Sequence, residues 1–251
     1  MGLLFLFNVI TILIITALLI LVKRKLRSEK AKRWTLLAAP VVTILFHYSK
    51  YIYLAVTGGG AYDYLCNNLN LVLPIYPCNV VMWCALIYGL LPDKDGKIGR
   101  LLGDYIFWFG IVSTAVGMFA NVDFIKNPTL RDFEVTKSIL AHATLLFNVL
   151  LIPVFGKLRV SFFQNMRSMI LSVIGMYAIG LYCNLIFRVL VSAEKAWDIN
   201  SMFIIHSPFG PSFLRYPVIA ALALVLYFIL FTICDLIKNP KGTRWFNRKT
   251  N

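Results

Sequence analysis

A thiol and an amide, Cys78 and Asn79, stand directly behind a proline inside an apolar stretch, LVLPIYPCNVVMW, that runs from residue 71 to residue 83. Pro74 and Pro77 make a regular helix across this stretch unfavourable, because proline has no amide hydrogen and clashes with the preceding turn. We therefore predict an irregular entry followed by a helix that begins near Pro77, since proline is favoured in a first turn. Cys78 would then lie at the positive end of the helix dipole.

That position suits a nucleophilic thiol. The thiolate is the reactive form of cysteine, and a helix N-terminus or a nearby cation stabilises it. Backbone N–H groups of the first turn, together with the Asn79 amide, are candidate donors to a developing oxyanion. His142 is the candidate general base. The alternative interpretation is that the prolines only kink the helix for packing and that Cys78 is a small packing residue.

Further polar side chains interrupt the apolar runs elsewhere in the chain. Ionisable groups inside a membrane segment are costly and indicate a functional role by default. His47, Lys50 and Tyr51 share one helix face through their i,i+3 and i,i+4 spacing. Asn184 and Arg188 share a face in the same way. The pattern predicts that His47, Lys50, Tyr51 and Arg188 bind substrate and that Asn184 supports an oxyanion.

The depths of these residues indicate a shared layer. Counted from the predicted helix ends at ~1.5 Å per residue, all five lie in the outer half of the membrane with Cys78 and His142. A layer of polar side chains from four helices is typical of a cavity lining. The two cations could instead extend to the outer head groups. Asp104 and Asp235 fall near the opposite ends, where we expect interfacial residues without a chemical role.

The elements that carry these residues are predicted to be transmembrane helices. Hydrophobic residues make up 59% of the 251-residue chain and charged residues 14%. Apolar runs of about twenty residues are long enough to cross ~30 Å of hydrocarbon. Seven such runs occur, at approximately 3–22, 34–56, 71–91, 101–120, 138–156, 168–190 and 216–237. The sequence predicts an all-α polytopic membrane protein, with residues 1–251 forming a single domain of seven transmembrane helices.

The basic residues predict the orientation. The first, third and fifth gaps between the runs and the C-terminal tail carry 18 of the 25 Lys and Arg residues. Since basic residues concentrate on the cytoplasmic side, the N-terminus is predicted outside and the C-terminus in the cytoplasm, with the plasma membrane as the expected location. The net charge of +14 is then mainly a topology signal. It favours anionic lipid at the cytoplasmic face as a partner, and not nucleic acid.

Motifs of soluble enzymes are missing from the sequence. The five cysteines form no CxxC pair, and zinc-ligand spacing, a Walker loop, HExxH and GxSxG do not occur. We therefore expect no metal and no cofactor.

Several segments resemble one membrane protein family. The pattern L-P-x-x-x-C-N, formed by Leu73, Pro74, Cys78 and Asn79, resembles the third helix of the YwaF-type integral membrane proteins. Their animal relative is transmembrane protein 164, and the androgen-induced gene 1 type hydrolases have a similar fold. The resemblance extends to His142 and to the segment NSMFIIHSPFGPSFLRYP, which is similar to the family's N-Y-M-F-L segment followed by Gly-Pro. The chain departs from the frequent family pattern L-P-L-H-x-C by having Tyr76 at the histidine position.

The resemblance implies a seven-helix lipid enzyme with a Cys–His pair in the membrane. The animal relative is a phospholipid acyltransferase that works through an acyl-cysteine, which implies Cys78 as nucleophile and His142 as base. Our hypothesis is thus a lipid acyltransferase or hydrolase that acts on a membrane phospholipid. The alternative is a transporter or receptor for an anionic lipid or a small anion, with a non-catalytic polar cavity. A structural membrane subunit with an inert cavity is a third possibility.

Overall fold

The structure, a computed structural model, describes residues 2–119, 129–207, 211, 213 and 215–246. These residues are mostly helical and include no strand, which confirms the predicted all-α class. The chain divides into two compact units, Met1–Lys157 and Leu158–Asn251. The single domain over 1–251 stays a prediction.

The first unit contains six α-helices and the second contains three within the described residues. Those of the first are α1 (Gly2–Lys25), α2 (Glu29–Thr57), α3 (Ala61–Asn67), α4 (Pro77–Leu90), α5 (Lys97–Phe119) and α6 (Phe133–Val154). Those of the second are α7 (Phe162–Leu190), α8 (Ala193–Ile199) and α9 (Tyr216–Lys238). Short 3-10 turns lie at Leu69–Leu71, Ser201–Phe203 and Lys241–Thr243.

Six of the described helices, α1, α2, α5, α6, α7 and α9, are long and apolar enough to cross a membrane. They correspond to six of the seven predicted runs. The remaining run, 71–91, contains α4, which has only 14 residues. The long apolar helices are those of an integral membrane protein. The count of seven spans and the orientation of the termini stay predictions.

The start of α6 differs from the sequence prediction. We expected this span to begin at residue 138, whereas the helix begins at Phe133. The reason is a local cap: the Asp132 carboxylate accepts a hydrogen bond from the Glu134 amide at 2.8 Å, which satisfies one of the free donors of a helix start. The helix therefore includes Glu134 and Lys137, and His142 lies ~13.5 Å along it instead of the ~6 Å expected. The predicted end of the run 101–120 lies outside the described residues.

Within the first unit, α2 and α5 each pack against α4 and α6. Membrane helices are held by close packing and hydrogen bonds because lipid offers little hydrophobic drive for association. Gly89 of α4 shows such a close approach, since a Cβ there would lie 2.5 Å from the carbonyl oxygen of Leu36 in α2. The Asn148 amide of α6 donates to the Thr43 hydroxyl of α2 at 2.8 Å. These contacts fix α2, α4 and α6, which carry the candidate site.

Asp104 and Asp235, both predicted near the membrane interface, are buried in the protein. Their depth in a membrane stays a prediction. In the second unit, Asp235 accepts hydrogen bonds from the Asn239 side chain at 2.6 Å and from the Trp245 amide at 3.1 Å. Its carboxylate thus fixes the chain that follows α9, because a buried carboxylate needs donors.

Candidate functional site

The thiol of Cys78 lies in the first turn of α4. The helix begins at Pro77, and Tyr76 before it is extended, with φ −122° and ψ 154°. This confirms the irregular entry and the helix start predicted from the two prolines. Cys78 is thus the second residue of α4, among the residues whose N–H groups open the first turn. First-turn N–H groups have no partner within the helix, so they favour negative charge beside them.

Asn79 closes the first turn of α4. Its side-chain oxygen accepts from the Tyr76 amide at 3.2 Å, and its backbone N–H donates to the Tyr76 carbonyl at 3.0 Å. The side chain is 4% exposed. Because the cap uses the amide oxygen, the Nδ2 group is the part of Asn79 that is left to donate to a ligand. The cap was not foreseen from the sequence.

The irregular segment that leads into α4 is held by α2. The Tyr48 hydroxyl donates to the Leu71 carbonyl at 2.6 Å, and His47 Nε2 lies 3.4 Å from the Asn70 carbonyl oxygen. Non-helical backbone at membrane depth requires such partners, since lipid cannot satisfy its polar groups. His47 and Tyr48 therefore support the irregular segment that positions Cys78.

A hydrogen bond holds the His142 ring of α6 in one orientation. Its Nδ1 lies 2.8 Å from the Ser138 carbonyl oxygen. A carbonyl only accepts hydrogen bonds, so Nδ1 carries the proton and Nε2 of the neutral ring keeps its lone pair. The ring packs against Gly117 of α5, where a Cβ would overlap imidazole atoms Cδ2 and Nε2. Sequence reasoning missed both Ser138 and Gly117; the i,i+4 spacing of Ser138 to His142 was the available signal.

The other predicted residues of the first unit meet at the end of α2 and the start of α6. His47 is within electrostatic range of His142, Glu134 and Lys137. The Lys50 ammonium, predicted as a cation for Cys78 or substrate, is 2.8 Å from the Glu134 carboxylate. Tyr51, predicted on the same face, is half-buried on α2. Sequence reasoning missed Glu134 because it fell in a predicted loop.

Asn184 and Arg188 belong to α7 in the second unit. The Asn184 side chain donates to the Ser201 carbonyl at 3.2 Å and accepts from the Ser201 amide at 2.8 Å. The Asn184 side-chain oxygen therefore bonds to the backbone and not to a ligand. Arg188 is exposed. The shared layer predicted from four helices stays a prediction, and so do the roles of Asn184 and Arg188.

The segment that Asn184 holds has an unusual backbone. Asn200, Met202 and Phe203 have positive φ values of 45°, 54° and 57°. Such conformations are costly for residues other than glycine and persist only where surrounding contacts impose them. The Asn200 side chain donates to the His206 carbonyl at 2.7 Å and accepts from the Ile205 amide at 2.9 Å. This is the segment that begins NSMF; Gly210 of its Gly-Pro pair lies outside the described residues.

Asn184→Ala should loosen this segment. The change removes both hydrogen bonds between this side chain and the buried Ser201 backbone, at a cost of about 1–3 kcal/mol. We expect a lower midpoint of thermal unfolding in detergent and faster proteolytic cleavage between residues 199 and 207. Leu185→Ala removes an exposed side chain from the next position and serves as the control. Equal midpoints and cleavage rates for the two variants would contradict this role of Asn184.

Metal ligation has no support among the described residues. No group of three or more His, Cys, Asp or Glu side chains there is placed to hold a metal ion.

The long apolar helices define an integral membrane protein. Polar side chains on α2, α4 and α6 give it a polar region among its helices. The chain belongs to the TMEM164 family, whose sequence model matches residues 2–235. The match confirms the family resemblance and covers nearly the whole chain. Comparison with curated proteins and with solved structures gave no match.

Proposed function

We propose that this protein is a thiol-dependent acyltransferase or hydrolase that acts on a membrane phospholipid through Cys78 and His142. The observation that carries the proposal is the position of Cys78 as the second residue of α4, in a first turn that begins at Pro77 and is closed by Asn79. The orientation of the His142 ring, whose Nδ1 donates to the Ser138 carbonyl and leaves Nε2 as the acceptor nitrogen, supports the same proposal.

The first half of the reaction forms a thioester. His142 Nε2 takes the thiol proton, and the Cys78 sulfur attacks the carbonyl carbon of a fatty ester. The carbon–sulfur bond forms, the carbon–oxygen bond to the glycerol breaks, and the departing alkoxide takes the proton from the imidazolium. The products are an acyl-cysteine and a lysolipid.

Negative charge on the carbonyl oxygen requires donors during this step. The Cys78 N–H and the Nδ2 group of Asn79 are the candidate donors. The Asn79 N–H already donates to the Tyr76 carbonyl, so its hydrogen would be shared between that carbonyl and the oxyanion. A preset oxyanion donor typically accelerates acyl transfer by about 10²–10³-fold.

The second half of the reaction releases the acyl chain. An acceptor hydroxyl loses its proton to His142 and attacks the thioester, and the thiolate leaves and regains the proton. A lipid acceptor makes the enzyme a transferase, and water makes it a hydrolase. The chemistry at Cys78 is the same in both cases and calls for no metal or cofactor.

Anionic lipid is the second proposed partner. Lys23, Arg24, Lys25 and Arg27 line one open crevice at the end of α1. Clusters of basic residues beside a membrane helix attract anionic head groups. The side of the membrane and the plasma membrane location stay predictions.

The test of the proposed function is the intact mass of protein purified in detergent from its native membrane, before and after hydroxylamine. We expect a fatty-acyl adduct that hydroxylamine removes and that peptide mapping places on Cys78. Hydroxylamine cleaves thioesters and spares amides, so the treatment separates an acyl-cysteine from other lipidation. A chain without an adduct after incubation with phospholipid would count against the proposal.

A further inference from the structure

Four side chains from three helices of the first unit form one charged group, here named the Lys50 cluster. Its members are Lys50 of α2, Tyr64 of α3, and Glu134 and Lys137 of α6. The Glu134 carboxylate lies 2.8 Å from the Lys50 ammonium and 2.6 Å from the Lys137 ammonium. The Tyr64 hydroxyl donates to Glu134 at 2.8 Å and accepts from Lys137 at 2.7 Å. Both ammonium groups also lie over the Tyr64 ring, 5.0 and 5.4 Å from its centre.

The Lys50 cluster carries one uncompensated positive charge, since two lysines share one carboxylate. Burial first, and then the hydrogen bond to Glu134, raise the pKa of Tyr64. Tyr64 therefore stays neutral and does not cancel the charge. The Lys137 side chain is only 10% exposed, so water screens its charge weakly. Unpaired charge at the edge of a membrane protein favours an anionic ligand.

The two lysines also keep hydrogen-bonding capacity. An ammonium has three N–H donors. Within the described residues, Lys50 uses one donor on Glu134, and Lys137 uses one on Glu134 and one on Tyr64. Three N–H groups therefore remain, which suits the two free oxygens of a phosphodiester. Glu134 and Tyr64 hold both ammonium groups in place, so little side-chain freedom is lost when an anion binds.

The position of the Lys50 cluster relates it to the proposed reaction. Lys50 follows His47 by three residues on α2, which is ~4.5 Å along the helix. Lys137 precedes His142 by five residues on α6, which is ~7.5 Å along that helix. The cluster thus lies nearer the end of α2 and the start of α6 than the two histidines do. A phospholipid bound by its phosphate at the cluster would extend its glycerol esters towards the histidines.

We propose that the Lys50 cluster is the phosphate site of the lipid substrate, in which Lys50 and Lys137 bind the phosphodiester and Glu134 with Tyr64 hold the two lysines in register. The proposal rests on the proposed function for its substrate but concerns binding alone. It assigns a role to Tyr64, Glu134 and Lys137. It also predicts that the protein distinguishes a phospholipid from a neutral diacylglycerol by the phosphate group.

The test measures lipid binding without turnover. The full chain carrying Cys78→Ser is purified in detergent, and its binding of phosphatidylglycerol and of diacylglycerol with the same acyl chains is measured by native mass spectrometry. Lys137→Met and Lys50→Met should each weaken phosphatidylglycerol binding at least tenfold and change diacylglycerol binding less than twofold. Lys195→Met removes the same charge from the second unit and should leave both values unchanged.

Two further variants separate a phosphate contact from a structural role. Lys137→Arg keeps the charge and should bind phosphatidylglycerol within threefold of the parent. Tyr64→Phe keeps both lysines and Glu134 but removes the hydroxyl that bonds Lys137 and Glu134, so it should weaken phosphatidylglycerol binding two- to fivefold and leave diacylglycerol binding unchanged. Equal losses for both lipids, or loss of phosphatidylglycerol binding in Lys137→Arg as large as in Lys137→Met, would overturn the proposal. Because Cys78 is absent throughout, these results are independent of whether Cys78 is a nucleophile.

Discussion

Cys78→Ser is expected to lower phospholipid turnover by on the order of 10³-fold or more, because a serine hydroxyl is a far weaker nucleophile than a thiolate at neutral pH. The substitution replaces sulfur by oxygen and adds no bulk, so the first turn of α4 and the Asn79 cap should persist. Lipid binding should change less than twofold. The measurement is the release or transfer of a labelled acyl chain from phospholipid in mixed micelles, together with lipid binding by native mass spectrometry.

The control is Cys84→Ser. Cys84 lies six residues later on α4 and, like Cys78, is half-buried. Its substitution should leave turnover unchanged. A transporter or receptor with a non-catalytic cavity predicts a different pattern, in which neither substitution alters ligand handling. Full activity of Cys78→Ser would therefore move the conclusion from an enzyme to that alternative.

Gly117→Ala is expected to reduce the rate of Cys78 acylation by about 10²-fold. The new methyl group would overlap the His142 ring at Cδ2 and Nε2, so the ring must leave its position. A displacement of about 1 Å in a catalytic group costs rate on this scale. Acylation can be followed by intact mass after mixing with phospholipid. The thiol itself is untouched, so slow alkylation of Cys78 should still go to completion.

Gly103→Ala on the same helix is the matched control. A Cβ at Gly103 would lie 3.5 Å from the Tyr88 ring, an ordinary contact distance. Both substitutions raise helix propensity by a similar amount. The pair therefore differs mainly in the effect on His142. If Gly117→Ala acylates as fast as Gly103→Ala, His142 is not the base.

Local chemistry made part of this protein predictable. The start of α4 follows from Pro77, because proline is favoured in the first turn of a helix. Helices α1, α2, α5, α6, α7 and α9 follow from apolar length alone. The start of α6 was predicted five residues late, since the side-chain cap at Asp132 is a weaker signal than hydrophobicity.

Contacts between distant parts of the chain were not predictable. Tyr64 and Glu134 are 70 residues apart in sequence, and Gly117 meets His142 across two helices. A single sequence shows which residues are polar but not which of them pair. The hydrogen-bond partner of Asn184 was not predictable either, because Ser201 lies beyond the end of the helix that carries Asn184. The sequence showed which residues share a helix face, whereas the residues that each face packs against are seen only in the structure.

The shortness of α4 has a consequence for the depth of the Cys78 thiol in a membrane. Its 14 residues extend ~21 Å, less than the ~30 Å of hydrocarbon in a bilayer. If the helix ends at one surface, Cys78 stands roughly 9 Å beneath the other. The ester groups of a phospholipid lie just beneath its phosphate, so only a short displacement into the bilayer separates them from the thiol. If Cys78 is the proposed nucleophile, the length of α4 places it at a depth that matches the ester groups of a lipid in its leaflet.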